Sequence, residues 1–335
     1  MNKLIKFCNQ AKIPYKENYE IKYDTYFKKG GKVKIYIQPN TSDSLISVLT
    51  FMNLGEYQYK LLGGTTNILL LDEQNYGIII STKNVNQLKV IEEKIEVDAG
   101  YYLADLVRVA LINGAKGYEG LEGVPGTIGG AIVMNAGAYG FNISDKIIDV
   151  TYIDGDGKLK VISKDACNFG FRTSIFKNVD NKNIIKATFC LSEKRDRSDI
   201  ADSIEKFHIA RHSYQEFAYP NLGSMYSTKR DMYREILCRS VGQKLLYWLF
   251  KMFLKNPITK FIKRKKPTNN SFNWLVKFFY KIEYPLSHKS INILINDGLK
   301  SDDEIIRHAK NLGCLYGINT KIENEIYIEQ GSHND

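Results

Sequence analysis

The sequence predicts an α+β protein of two regions, and three observations carry that prediction. Short apolar runs of strand length recur between residues 33 and 191, with only two helix-period stretches among them. A glycine-rich connection at 117–140 divides the earlier strands from the later ones. Basic residues gather in one later segment instead of spreading along the chain. A length of 335 residues suggests about two domains. A hydrophobic content of 44% with 25% charged residues excludes a disordered or fibrous chain.

The elements follow in order. Residues 33–38 alternate as a half-buried strand does. Residues 42–54 place Leu45, Val48, Leu49 and Met52 on one helical stripe. Strands are expected at 59–62, 68–71, 78–81 and 95–99, and a helix at 103–112 that stops near Gly114. More strands follow at 148–153, 158–162 and 184–191. The charged stretch 193–215 reads as a helix leading into a second region at about 205–330. There, residues 291–298 read as a strand. Residues 301–317 read as a helix, with Ser301 as N-cap and acids in its first turn. Residues 325–330 read as a last strand.

The net charge is +10. Between Lys229 and Lys281 fourteen Lys and Arg meet only Asp231 and Glu235, so this segment holds +12 and the rest of the chain −2. No recognised nucleic-acid module accompanies the charge, so nucleic acid is not an expected partner. The stretch Lys244–Lys255 is apolar over most of its surface, with Lys244, Lys251 and Lys255 on one helical face. A dense basic cluster at 260–266 and an aromatic-basic stretch at 272–281 follow. Residues 244–281 therefore read either as a peripheral contact with an anionic membrane or as a helical hairpin packed on the protein. The five cysteines (8, 167, 190, 238, 314) are odd in number and lack a CxxC pair, so neither a disulfide framework nor a metal site is expected. Neither a secretory signal nor a membrane span is read, which makes the cytoplasm the default compartment.

Two glycine motifs point to chemistry. Leu62-Gly-Gly-Thr-Thr-Asn67 joins two apolar runs, where small residues let backbone N–H groups approach a phosphate; a plain hairpin turn would look the same. Residues 120–140 carry glycine at 120, 123, 126, 129, 130, 137 and 140, without the Walker or GxGxxG spacing. So many glycines imply positive φ or a close approach, as a planar cofactor and its pyrophosphate would require.

These motifs, followed by Phe169-Gly-Phe-Arg-Thr-Ser-Ile-Phe-Lys177, resemble the UDP-N-acetylenolpyruvoylglucosamine reductase (UDP-N-acetylmuramate dehydrogenase) family over about 20–227 and 285–330. The likeness is to the subgroup without an extra substrate loop. It implies a two-lobed FAD-binding domain of the vanillyl-alcohol-oxidase/PCMH-like kind at 1–200, with lobes of about 1–80 and 81–200. A smaller α+β substrate domain would follow at 201–335, carrying the insert at about 229–281. The implied FAD contacts are Gly63, Gly64, Thr65, Thr66, Asn67, Pro125, Gly126, Thr127, Gly129, Gly130, Asn135, Gly137, Ala138 and Tyr139. The implied catalytic residues are Arg172, Ser224 and Glu325.

The implied activity is NADPH-dependent reduction of UDP-N-acetylenolpyruvoylglucosamine to UDP-N-acetylmuramate, a step of peptidoglycan precursor synthesis. The alternative is a paralogous flavin oxidoreductase acting on another nucleotide sugar for surface polysaccharide. The residue types suit the chemistry. An enolpyruvyl ether accepts hydride only if charge building on its carboxylate side is stabilised, as by a fixed cation and a carboxylic acid. The adjacent carbon then needs a proton, which a serine hydroxyl can give. The departures lie in the second half. Phe171 replaces a Tyr, Glu216 a Pro and Ser290 a His. Tyr-Ser-Thr-Lys follows Ser224 in place of Phe-Lys-Asn-Pro, and the stretch 224–287 is lengthened.

Overall fold

A computed structural model describes residues 1–177, 181–227, 232–255, 270–282, 286–316 and 321–327. Helix α1 (Asn2–Gln10) leads into β1 (Tyr15–Glu20) and β2 (Lys32–Ile37), an antiparallel pair. Helix α2 (Ser42–Leu54) follows, opened by a capping box in which Thr41 and Ser44 satisfy each other's backbone N–H. Strands β3 (Lys60–Leu62), β4 (Ile68–Leu70) and β5 (Asn75–Ser81) come next. The first sheet has the order β1-β2-β5-β3, with β2, β5 and β3 parallel. Its central strands β2 and β5 are largely buried on both faces, as parallel strands usually are. Ile35, Ile37, Ile78 and Ile80 pack against Leu45, Val48 and Met52 of α2, while Tyr36 and Ile79 fill the opposite side.

The second sheet is antiparallel throughout, in the order β11-β10-β12-β7-β6. Its strands are β6 (Leu88–Ile91), β7 (Lys94–Asp98), β10 (Ile147–Ile153), β11 (Leu159–Ser163) and β12 (Asn183–Cys190). Helices α3 (Leu103–Ile112) and α4 (Ile128–Val133) supply Leu103, Leu106, Ile128 and Ile132 to the core over it. Between α4 and β10, the short hairpin β8 (Gly137–Ala138) and β9 (Phe141–Asn142) turns at Tyr139-Gly140, both with positive φ.

Helix α5 (Arg197–His212) leads to the remaining elements. These are β13 (Tyr226–Ser227), α6 (Met232–Leu237), α7 (Val241–Lys255), α8 (Asn270–Tyr280), α9 (Asp302–Tyr316), β14 (Lys321–Ile322) and β15 (Glu325–Tyr327). The expected strand at 291–298 is not one. It makes only isolated bridges, Leu286 to Leu294 and Asn221 to Ile295. A buried side chain takes the place of the ladder: Asn292 accepts from Tyr226 N–H at 3.0 Å and donates to Tyr226 C=O at 2.8 Å. Strand β13 pairs with β14, and β15 returns to the front of the chain to pair in parallel with β4. The loop 62–67 is therefore no hairpin turn, since β3 and β4 belong to different sheets. The insert forms the α7–α8 helix pair, which seats Tyr247, Leu275 and Val276 in the core beneath it. The basic cluster at 260–266 lies outside the described residues. Among the described residues, no helix is long and apolar enough to cross a membrane.

Candidate active site

The two glycine loops meet. A Cβ on Gly63 would lie 2.3 Å from Thr127 Oγ1, and one on Gly64 would lie 3.1 Å from Gly126 Cα. Gly126 also has φ +121°, a conformation open to glycine almost alone. Three glycines thus serve the contact between loops. Gly130 serves something else: an added Cβ there would meet nothing nearer than 3.7 Å, because it would enter a cavity. That cavity, of about 680 Å³, runs between the lobes and the C-terminal elements. Its wall holds Gly63 to Asn67, Pro125 to Thr127, Gly129, Gly130 and Gly137 to Tyr139, so both loops line one space.

Asn135 sits just behind this wall. Its backbone is left-handed (φ 42°), and its amide donates to Gly170 C=O at 2.9 Å. Gly170 and Thr173 close a tight turn by mutual backbone hydrogen bonds, with Phe171-Arg172 at its tip. Arg172 itself has φ 54°. A non-glycine residue held there stores about 1 kcal/mol or more of strain, which its surroundings must fix. Asn135 therefore ties the second glycine loop to the turn that presents Arg172. Lys177 Nζ adds a bond to Arg172 C=O at 3.1 Å. Phe171 is 74% exposed, with its ring centroid 5.9 Å from the Arg172 guanidinium carbon.

Thr65 too is left-handed (φ 55°). Its hydroxyl accepts Tyr26 N–H and donates to Gly64 C=O, both at 2.8 Å, which offsets the strain of a β-branched residue in that region. Asn67 reaches the other way and donates to Glu323 C=O at 2.8 Å. Asn324 answers by donating to Asn67 Oδ1 at 3.0 Å and to Leu222 C=O at 2.9 Å. The C-terminal segment is thus fastened to the first glycine loop.

Arg172 and Ser224 both line the cavity. Ser224 follows Gly223, whose φ of 72° and N–H bond to Asn221 Oδ1 form a tight turn. The next residue, Met225, donates to Asn292 C=O and accepts Glu323 N–H, each at 2.8 Å. That last bond sets Glu323 beside Met225, the residue after Ser224, and the Glu323 carboxylate lies 3.7 Å from Arg172 Nη2. Sequence reading passed over Glu323; its place two residues before Glu325 on one extended segment was the available signal. Glu325 opens β15 in register with Ile68, directly after Asn67.

Arg211 was also missed. It is 6% exposed, lines the cavity and bonds only carbonyls, Glu122 at 3.1 Å and Gly120 at 3.5 Å. Its guanidinium stacks 5.4 Å from the Tyr139 ring centroid, and no acid pairs with it among the described residues. A buried cation without a carboxylate suits an anionic ligand. Burial, then the bond to Tyr214, pushes the Tyr139 phenol well above its usual range, so it stays neutral. Thr127 Oγ1 and Asn135 Oδ1 are buried beside the cavity with no partner among the described residues. Spare polar atoms, a glycine floor and a buried guanidinium fit a flavin dinucleotide.

Glu216, which replaces the family's proline, is held locally. Burial opposes its ionisation, yet bonds from Phe217 and Ala218 N–H and from Ser287 Oγ hold its carboxyl below the usual carboxylate range. The carboxylate thereby fixes the turn that a proline ring would have fixed covalently.

Known proteins resemble this chain in sequence and in fold. The sequence model of the FAD binding domain matches residues 33–163. UDP-N-acetylenolpyruvoylglucosamine reductase of Fervidobacterium nodosum is 35% identical over 228 residues, covering 68% of this chain and 73% of that protein. The protein of the same name from Carboxydothermus hydrogenoformans is 34% identical over 230 residues, covering 68% and 76%. In fold, the crystal structure of UDP-N-acetylenolpyruvylglucosamine reductase (MurB) from Thermus caldophilus gives a TM-score of 0.64 at 20% identity, covering 94% of this chain and 98% of that one. The expected α+β fold with an FAD-binding first part is the fold found, and the chain belongs to the UDP-N-acetylenolpyruvoylglucosamine reductase family.

Proposed function

We propose that this protein reduces UDP-N-acetylenolpyruvoylglucosamine to UDP-N-acetylmuramate with NADPH, on FAD held between its two glycine loops, in peptidoglycan precursor synthesis. The observation that carries the proposal is the convergence of Arg172 and Ser224 on the glycine-floored cavity. Bound FAD supplies hydride transfer, from NADPH to the substrate's enolpyruvyl group. Gly63 to Asn67, Pro125 to Thr127, Gly129, Gly130 and Gly137 to Tyr139 hold it, with Asn135 bracing the loop from behind. Arg211 faces an anionic part of the bound ligands.

Arg172, fixed by its turn, balances the negative charge that builds on the substrate's carboxylate side as hydride adds. Ser224 Oγ gives the proton that completes the neighbouring carbon. Glu325, as a protonated acid, is assigned the accompanying hydrogen bond on the family resemblance. Closing the cavity with the segment that carries Glu323 limits water and strengthens each of these interactions. Residues 1–200 form the FAD-binding part and 201–335 the substrate part. The enzyme works in the cytoplasm, peripheral to an anionic membrane through its 244–281 insert.

Anaerobic absorbance titration tests the reading. Purified protein is expected to show flavin bands that bleach with NADPH and return when the enolpyruvyl nucleotide sugar is added. Bands that bleach but do not return would overturn the substrate, and the absence of bands would overturn the cofactor site.

A further inference from the structure

Helix α7 has two apolar faces, and the described residues cover only one. Tyr247 is buried and Phe250 half-buried against the domain below. On the opposite face Val241 (88% exposed), Leu245, Trp248, Leu249 and Met252 (62%) form a stripe at helical spacing, open to solvent. Helix α8 repeats the arrangement. Leu275 and Val276 are buried, while Trp274 and Phe278, both more than half exposed, stack on each other with centroids 5.6 Å apart. A folded chain rarely leaves so much contiguous aromatic and aliphatic surface in water without a partner.

The charge selects the partner. Lys244 and Lys251 border the open stripe of α7 and Lys277 adjoins Trp274 on α8, within the 229–281 segment that holds +12. Lys251 Nζ lies 5.0 Å from the Trp248 ring centroid, with its stem along the apolar surface and its charge at the edge. A second copy docking through this face would be self-complementary, so each +12 segment would meet the other. An anionic bilayer offers the reverse: hydrocarbon for the stripe, headgroups for the lysines and an interface that favours tryptophan. Helices of 15 and 11 residues are too short to span the roughly 20 residues a bilayer needs, so they lie along it.

We infer that the outer face of α7 and α8 docks this enzyme in the interface of an anionic phospholipid membrane. The inference rests on the reading of a reductase peripheral to an anionic membrane and adds which face of the insert, and which residues, make the contact. Co-sedimentation of the full-length holoprotein with phosphatidylcholine vesicles, with and without phosphatidylglycerol, tests it. Binding is expected only with phosphatidylglycerol, weakening as salt rises, with a blue shift of tryptophan fluorescence. The double variant Leu245→Glu/Met252→Glu is expected to lower the partition coefficient at least about tenfold, with unchanged circular dichroism and unchanged turnover. A second variant, Lys244→Glu/Lys251→Glu, is expected to lose the selectivity for anionic lipid. Vesicle binding that survives both changes, or a solution dimer that the first variant splits without any lipid binding, would overturn the inference. Lipid binding and flavin turnover are separate readouts, so either can fail without the other.

Discussion

Ser224 and Glu216 are single residues whose roles can be separated by experiment. Ser224→Ala removes the hydroxyl proposed as proton donor and is expected to leave the flavin site intact. Overall turnover is expected to fall by about 10²–10⁴-fold, while bleaching of the flavin by NADPH keeps its rate in stopped-flow absorbance. A variant with full turnover would end the assignment. Glu216 has a lowered folded-state pKa, so its contribution to stability is present above the unfolded value, near pH 4, and is lost as pH falls through the folded one. Thermal melts of Glu216→Gln are expected to show a lower Tm than wild type at neutral pH and a flatter acid limb. Arg172 was legible as a residue type in a motif. Its left-handed backbone was not, because φ at a non-glycine position is decided by the Gly170–Thr173 turn and by Asn135.

At the scale of elements, helices 42–54 and 103–112 coincide with their expected bounds, because each carries an unbroken apolar stripe and a clear stop. Helix α1 and strands β1 and β6 were not legible. β1 and β6 leave much of their surface exposed, which blurs the alternation that marks a strand. The segment 291–298 looked like a strand from its apolar run, but Asn292 turned its bonding inward. The glycine loops were legible in place and ambiguous in purpose. Contact between loops explains Gly63, Gly64 and Gly126, and cavity space explains Gly130. Gly126→Ala forces a Cβ within 2.8 Å of Thr66 Oγ1 in a backbone region disfavoured for alanine. The variant is expected to purify with less flavin, read as the ratio of visible to protein absorbance, and to be less stable by about 2 kcal/mol. Full flavin content would show that the loops can separate freely.

Over the whole molecule, long-range clasps hold the C-terminal elements to the first lobe. Lys29 Nζ lies 2.5 Å from Asp72 and 3.2 Å from Asp302, the first residue of α9, whose side chain is almost wholly buried. Asn296 adds bonds to Phe27 and Lys28 carbonyls. Among the described residues, Lys29→Met would leave Asp302 with the Glu73 N–H as partner. Breaking a buried pair costs about 3–5 kcal/mol, and the partial exposure of Asp72 puts this one at the low end. Chemical denaturation would measure it. The clasps of Asp302 and Asn296 could not be read from sequence, since each joins residues more than 260 positions apart.

The pairing of β15 with β4 has a consequence for how the protein comes into being. Strand β4 is finished early in synthesis, but its partner is residues 325–327, and Glu323 is fastened to Asn67 only when that strand arrives. Until then β4 is an unprotected edge, open to pairing with another chain. The two glycine loops can form on the ribosome, whereas the cavity they line closes only after residues 323–327 have been made. The proposed flavin site is therefore built in stages, its glycine floor first and its C-terminal wall last.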